Sequence, residues 1–262
     1  MIETPPTGGQ PAPPAGPRTL VVDCGGTGIK ATVLGPDGTM AAPRVRVPTP
    51  YPCPTDVFVA TIVGLAEQLG TYDRVSVGVP GVIRKGRVLH TPHFVTVAGP
   101  FTPQDPDLVA QWRGFDVARA LEKALLAPVR AVNDAEMQGC AVVGGEGFEV
   151  VITLGTGFGF AMFDDGRLLP KVEMSAHRLK KGESYDERLG NLTRARIGRE
   201  RWNDRVAEAV EGLRWVFWWD RLYIGGGNTR HLTVDLGPDV TIVANLAGLL
   251  GGVHLWDASH RV

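Results

Sequence analysis

The residue pair best placed to do chemistry is Asn133-Asp134, which follows the apolar Val129 and Ala131-Val132 and precedes Ala135. A carboxylate fixed where a strand ends can accept the proton of a hydroxyl nucleophile, and such a general base is worth roughly 10² to 10⁴ in rate. Asn133 beside it can hydrogen-bond a hydroxyl, can cap a helix over 135–143, or can do both. A second group stands near the start of the chain, in Asp23-Cys24-Gly25-Gly26-Thr27-Gly28-Ile29-Lys30. Glycines there would let backbone N–H groups approach an anion, through their tolerance of positive φ and their lack of a Cβ. Thr27 adds a hydroxyl and Lys30 a compact positive charge. Asp23 adds a carboxylate that could hold Mg²⁺ through water while donor phosphates fill the remaining positions. Taken alone, the segment reads equally as a hairpin whose glycines serve only the turn.

The theme recurs. Leu154-Gly155-Thr156-Gly157-Phe158-Gly159 repeats the strand, glycine turn and second strand, and each copy is followed by an Asp-Gly turn, at Asp37-Gly38 and Asp165-Gly166. Such self-similarity points to an internal duplication. Two phosphate-binding turns facing one cleft, with Gly25, Gly26 and Thr27 on one side and Gly155, Thr156 and Gly157 on the other, would grip a polyphosphorylated donor from both sides. A third run, Gly225-Gly226-Gly227-Asn228, would let a nucleotide base or a phosphate chain lie against the backbone. Neither a G-x-G-x-x-G nor a G-x-x-x-x-G-K-[ST] pattern is present, so the dinucleotide and P-loop alternatives fail.

These residues need elements to hold them. Apolar runs predict strands over 20–22 and 29–34, a helix over 57–69 with Phe58, Ile62, Leu65 and Leu69 on one face, and a buried strand ending at Pro80-Gly81. The Pro-rich stretch 86–114 reads as irregular. A helix over 116–126 precedes a strand that ends at Asn133-Asp134. Strands over 148–154 and 160–163, a helix over 203–219, strands over 221–224 and 240–243, and a Gly-spaced helix over 245–256 complete the pattern. The aromatics Trp215, Phe217, Trp218 and Trp219 read as part of a helix packing on a sheet. The basic stretch 171–205 reads as a solvated face or as a channel for a polyanionic donor. Residues 1–17 read as a disordered Pro/Gly-rich tail, 18–133 as an N-terminal lobe and 134–262 as a C-terminal lobe.

Composition narrows the function classes. With 27 basic and 28 acidic side chains and a net charge of −1, the 262-residue chain has no electrostatic footprint for duplex nucleic acid or an anionic membrane. No apolar run approaches the ~20 residues of a membrane span. The absence of a cationic start followed by an apolar run points to the cytoplasm. Three scattered cysteines, Cys24, Cys53 and Cys140, argue against disulfides and a structural zinc site, and Cys24 reads as a small buried side chain. The 34 glycines are about twice the usual share.

The ordered set Asp23 to Lys30, Val77-Gly78-Val79-Pro80-Gly81, Val132-Asn133-Asp134-Ala135, Leu154 to Gly159 and Ile224 to Asn228 resembles the ROK sugar kinases, in their short polyphosphate glucokinase-like branch. The resemblance implies an α/β, two-lobed actin-like (ribonuclease H-like) fold with a duplicated core. It further implies Mg²⁺, a small-molecule sugar and a phosphoryl donor as ligands, and a homodimer. It makes Asp134 the base and Glu173 and His177 the sugar contacts. His177 follows Glu173 by four residues where the branch pattern has three, and Thr91-Pro92-His93-Phe94 stands where the family carries an Asn. The reading is a kinase acting from ATP or polyphosphate on a hexose, glucose foremost. An amino-sugar or cyclitol kinase is the alternative on the same fold, and so is a non-catalytic sugar-sensing regulator, although only a Pro-rich segment precedes the first glycine turn.

Overall fold

The computed structural model describes residues 15–243 and 247–257. The expected 1–17 tail lies almost entirely outside them. The chain opens with β1 (Thr19–Cys24) and β2 (Ile29–Leu34), an antiparallel pair around the first glycine turn, and adds the edge strand β3 (Val45–Val47). Helix α1 (Thr55–Ala66) buries Phe58, Ile62 and Leu65, one stripe at helical spacing, and returns the chain to β4 (Arg74–Val79), parallel to β1. The hairpin β5 (Val82–Arg84) and β6 (Arg87–His90), then helices α2 (Pro106–Trp112) and α3 (Val117–Leu125), lead to β7 (Val129–Asn133), parallel to β4.

The stretch 86–114 is thus more regular than its prolines suggest. Asp105 starts α2 by accepting the N–H groups of Asp107 and Leu108, and Pro106 occupies the first turn, where its missing N–H costs nothing. At the other end Trp112 is buried and donates its indole N–H to the Cys53 carbonyl at 2.8 Å.

The second half runs α4 (Asp134–Gly139), β8 (Phe148–Leu154), β9 (Phe158–Asp164) and β10 (Arg167–Leu168). It continues with the small hairpin β11 (Arg178–Lys180) and β12 (Glu183–Ser184) and helices α5 (Tyr185–Leu189), α6 (Asn191–Ile197) and α7 (Arg199–Phe217). Strands β13 (Arg221–Gly225) and β14 (Val240–Ile242) and helix α8 (Ala247–His254) complete it. Helix α7 begins four residues before the expected 203, because Trp202 packs into the core and donates to the Leu189 carbonyl at 2.8 Å. Val206, Val210 and Leu213 are buried as their spacing requires, whereas Trp215 and Trp218 face solvent.

The two sheets have the same build. One is ordered β3-β2-β1-β4-β7 and the other β10-β9-β8-β13-β14, each antiparallel across its first two pairs and parallel across its last two. Each has its own apolar core, and a third core joins them through α4 and α8 with Val21, Val132, Met137, Val151, Phe163 and Val253. Glycine permits the close approach: a Cβ on Gly139 would overlap Phe163, on Gly251 the Met137 carbonyl, and on Gly252 the Val21 side chain. Helix α8 packs on β1 and β4, so the last helix returns to the first sheet. Among the described residues no helix is long and apolar enough to cross a membrane.

Candidate active site

A cavity of about 420 Å³ opens between the two sheets, with the glycine turns on opposite walls. It brings together Asp23, Gly25, Gly26, Thr27, Lys30, Asn133, Asp134, Gly155, Thr156, Gly157, Glu173, Gly226, Gly227 and Asn228. Two sequence candidates stay outside its lining. Gly225 is buried at the end of β13, and His177 is exposed, its ring 6.2 Å from that of Tyr185.

Asp134 begins α4 directly after β7. Asn133 caps that helix: its side-chain oxygen accepts the Ala135 N–H at 2.9 Å, its amide donates to the Gly81 carbonyl at 2.8 Å, and its own N–H donates to Glu136 at 2.8 Å. The helix stops at Gly139 rather than reaching 143. Removal from water, reinforced by the negative charge of Asp23, pushes the Asp134 carboxyl up to about 6 against the pull of Lys171. Burial likewise raises Glu136 to about 7.

The first turn closes with Gly25 N–H on the Gly28 carbonyl at 3.0 Å. Its other carbonyls are taken from behind: Gly25 by Thr49 Oγ1 at 2.6 Å, Gly26 by Tyr51 OH at 2.8 Å and Thr27 by Arg46 at 3.2 Å. Asp23 and Lys30 face each other across the β1–β2 register and pair at 3.2 Å. The second turn is held by Asn191 N–H on the Gly155 carbonyl at 3.1 Å, by the Asn228 amide on the same oxygen at 2.9 Å, and by Phe158 N–H on Asp186 at 2.6 Å. The third glycine run therefore also braces the second.

Of the glycines in the cavity wall, only Gly81 and Gly226 have positive φ, at 113° and 93°. Gly26 and Gly157 are glycine for space. A Cβ on Gly157 would come within 2.5 Å of Asp186, and a Cβ on Gly26 within 2.7 Å of Pro100. A Cβ on Gly155 would meet no protein atom, so its place is open space at the cavity wall.

A family model described as ROK family matches residues 19–172. The chain belongs to the ROK family. Polyphosphate glucokinase of Mycobacterium tuberculosis (strain ATCC 25618 / H37Rv) is 26% identical over 240 residues, covering 88% of each chain. N-acetylmannosamine kinase of Escherichia coli (strain SE11) is 28% identical over 156 residues, 58% of this chain and 49% of that protein. The crystal structure of inorganic polyphosphate/ATP-glucomannokinase from Arthrobacter sp. strain KM superposes with a TM-score of 0.75 at 25% identity, covering 91% of this chain and 97% of that one. A ROK family glucokinase from Streptomyces griseus, in complex with glucose and AMPPNP, superposes with a TM-score of 0.65 at 18% identity, covering 91% and 98%. The fold is the two-lobed actin-like fold of the ROK sugar kinases.

In this ROK chain the cavity also holds His93, from the segment at the family's Asn position, and residues that no motif announces: Lys171, Asp186, Gln138, Asn191 and Arg46. Lys171 is buried, donates to the Phe160 carbonyl, and is the cation that acts on Asp134, Glu136 and Asp186 together. Asp186 is pushed up to about 6, chiefly by burial. Burial lowers His93, whose ring stands over Gly26, so it is held neutral and able both to donate and to accept. Among the described residues no cluster of three His, Cys, Asp or Glu could cage a metal. The carboxylate of Asp23 beside the first turn suits Mg²⁺, which takes one or two carboxylates and completes its shell with water and phosphate. All three cysteines are free and buried; burial, then the charge of Asp23, raises the Cys24 thiol, in keeping with a packing role.

Proposed function

We propose that this carbohydrate kinase transfers a phosphoryl group from ATP or inorganic polyphosphate to a hydroxyl of a hexose, glucose foremost, with Asp134 as general base. The observation that carries the reading is the position of Asp134: a carboxylate with a pKa near 6, on the wall of one cavity between two glycine turns. Asp134 takes the proton of the acceptor hydroxyl as that oxygen bonds to phosphorus. The bond from phosphorus to the bridging oxygen breaks, releasing ADP or a polyphosphate one unit shorter. Phosphoryl transfer asks mainly for positioning and charge neutralisation, and the two turns with Lys30 supply these. Mg²⁺, held through water by Asp23, would neutralise donor phosphate charge. Glu173 and Asn133 would face the acceptor, joined by His93 in the place first given to His177. Closure of lobe 18–133 on lobe 134–262 would exclude water and suppress donor hydrolysis. We take the protein to be a cytoplasmic homodimer. The N-acetylmannosamine kinase relative keeps amino sugars among the candidate acceptors.

The test is a matrix of ATP, GTP and polyphosphate against hexoses, amino sugars and cyclitols, run on the wild type and on Asp134→Asn. The variant should lose roughly 10² to 10⁴ in kcat while still binding sugar; unchanged turnover sinks the assignment of the base. Wild-type kcat should rise with pH through about 6, as Asp134 gives up its proton, and level off above. Because the folded carboxyl sits near 6 rather than the usual 3.8, the fold favours its protonated form, and stability falls as pH climbs between those values. Asp134→Asn removes that cost and should raise Tm at pH 7, a gain on the order of 2–3 kcal/mol. A lower Tm would mean that lost activity reports unfolding.

A further inference from the structure

The basic stretch 171–205, taken with Arg230, holds two groups of arginines with different surroundings; Arg178 and Arg201 belong to neither. Arg188, Arg196 and Arg205 all face Glu183, at 3.0, 3.9 and 3.6 Å, and Arg188 also pairs with Glu208 at 2.7 Å. That set has carboxylates facing it within the fold. Arg194, Arg199 and Arg230 form no ion pair with any carboxylate among the described residues. They gather instead around His231. Arg199 donates to its carbonyl at 3.0 Å and Arg230 to its ring Nε2 at 3.1 Å. Desolvation and the adjoining charges of Arg194, Arg230 and Arg199 hold its pKa below the usual value, which leaves the ring neutral. The group continues the cavity wall outward: Arg230 and Asn191 line the cavity, and Arg194 donates to the Asn191 side chain at 2.8 Å. One further atom is left over. Arg194 Nε is buried without a hydrogen-bond partner.

Like charges are grouped without counterions where an anion is to neutralise them. Three guanidiniums gather at this end of the cavity around His231. Guanidinium pairs with phosphate oxygens in a fork geometry, and repeated guanidiniums suit a repeated phosphate.

We propose that Arg194, Arg199 and Arg230 form a track for the distal phosphates of an inorganic polyphosphate chain whose terminal unit lies at Asp134, so that this enzyme distinguishes donors by length. The proposal rests on the phosphoryl-transfer reading given above. Each arginine engages phosphates that tripolyphosphate is too short to present and that ATP lacks.

The test measures KM for long-chain polyphosphate and for tripolyphosphate, together with direct binding of long-chain polyphosphate in the absence of sugar. Arg199→Ala and Arg230→Ala should each raise the long-chain KM roughly 5- to 10-fold relative to that for tripolyphosphate, with kcat little changed. Each should also reduce the slope of log affinity against log salt by about 1. Arg199→Lys keeps the charge without the fork and should recover part of the loss, which a purely structural role for the guanidinium would not allow. Arg196→Ala, removing an arginine already opposite Glu183, should leave the KM ratio where it was. A KM ratio unmoved by Arg199→Ala and Arg230→Ala, in an enzyme that turns over polyphosphate, overturns the track and leaves the kinase standing. Arginine-dependent binding of polyphosphate without any turnover from it supports the track and overturns polyphosphate as donor.

Discussion

The two glycine turns come from the same strand–turn–strand unit, yet they differ at the pair of residues that flanks each one. In the first, Asp23 faces Lys30 across the register, an ion pair at the cavity edge. The matching pair in the second is Thr153 and Gly159. A side chain on Gly159 is excluded because its Cβ would overlap Thr153 Oγ1 and come within 2.9 Å of the Ala135 Cβ. Ala135 belongs to α4, the helix that starts with Asp134. The first turn therefore keeps a charged pair at the cavity edge, while the second gives up its side chain so that the helix starting with Asp134 can lie against it. The supports differ as well. Residues 46–51 of the same lobe hold the first turn, whereas Asp186, Asn191 and Asn228, brought in from later elements, hold the second. The two units share their backbone build and differ in what flanks and supports each turn.

Asp23→Asn tests that asymmetry most strongly. On the proposed reading, in which Asp23 holds Mg²⁺ through water, removing its charge should lower kcat by roughly 10² to 10³, whereas Thr153→Val at the matching position should cost far less; equal losses in steady-state kinetics would erase the distinction. Next in size is Gly159→Ala, an overpacked contact worth about 1–3 kcal/mol, to be read as a lower midpoint in denaturant melts. Lys30→Ala, on the exposed side of the first pair, should by contrast change stability by no more than about 1 kcal/mol. Comparable destabilisation by both would mean that Gly159 is not needed for packing against α4. The smallest effect is expected from Tyr51→Phe, which removes one hydrogen bond to the Gly26 carbonyl, about 1 kcal/mol. It should raise donor KM modestly and leave sugar affinity alone, and an effect on sugar affinity would show that the first turn does not act on the donor side only.

Much of this was legible beforehand because it is local. Strand–glycine–strand runs, the Asn133-Asp134 junction and the apolar stripe of α1 depend on residues within one or two turns of each other. Other features gave no such sign. Lys171 is one more lysine in a basic stretch until the strands fold and it becomes the cation among Asp134, Glu136 and Asp186. Asp186 starts as one acid among several on a short helix and ends as the acceptor for the second turn's Phe158 N–H. His177 shows the reverse, a residue picked by spacing from Glu173 that the chain leaves on the surface.

By itself the sequence determined the duplicated topology, the two turns and the carboxylate at the strand end, since backbone preference and hydrophobic period act over a few residues. Tertiary structure alone decided which charges are spent on one another. Glu183 and Glu208 face Arg188, Arg196 and Arg205, while Arg194, Arg199 and Arg230 have no carboxylate partner among the described residues, because Coulomb interactions depend on separations through space that are fixed only when α5, α6 and α7 pack together.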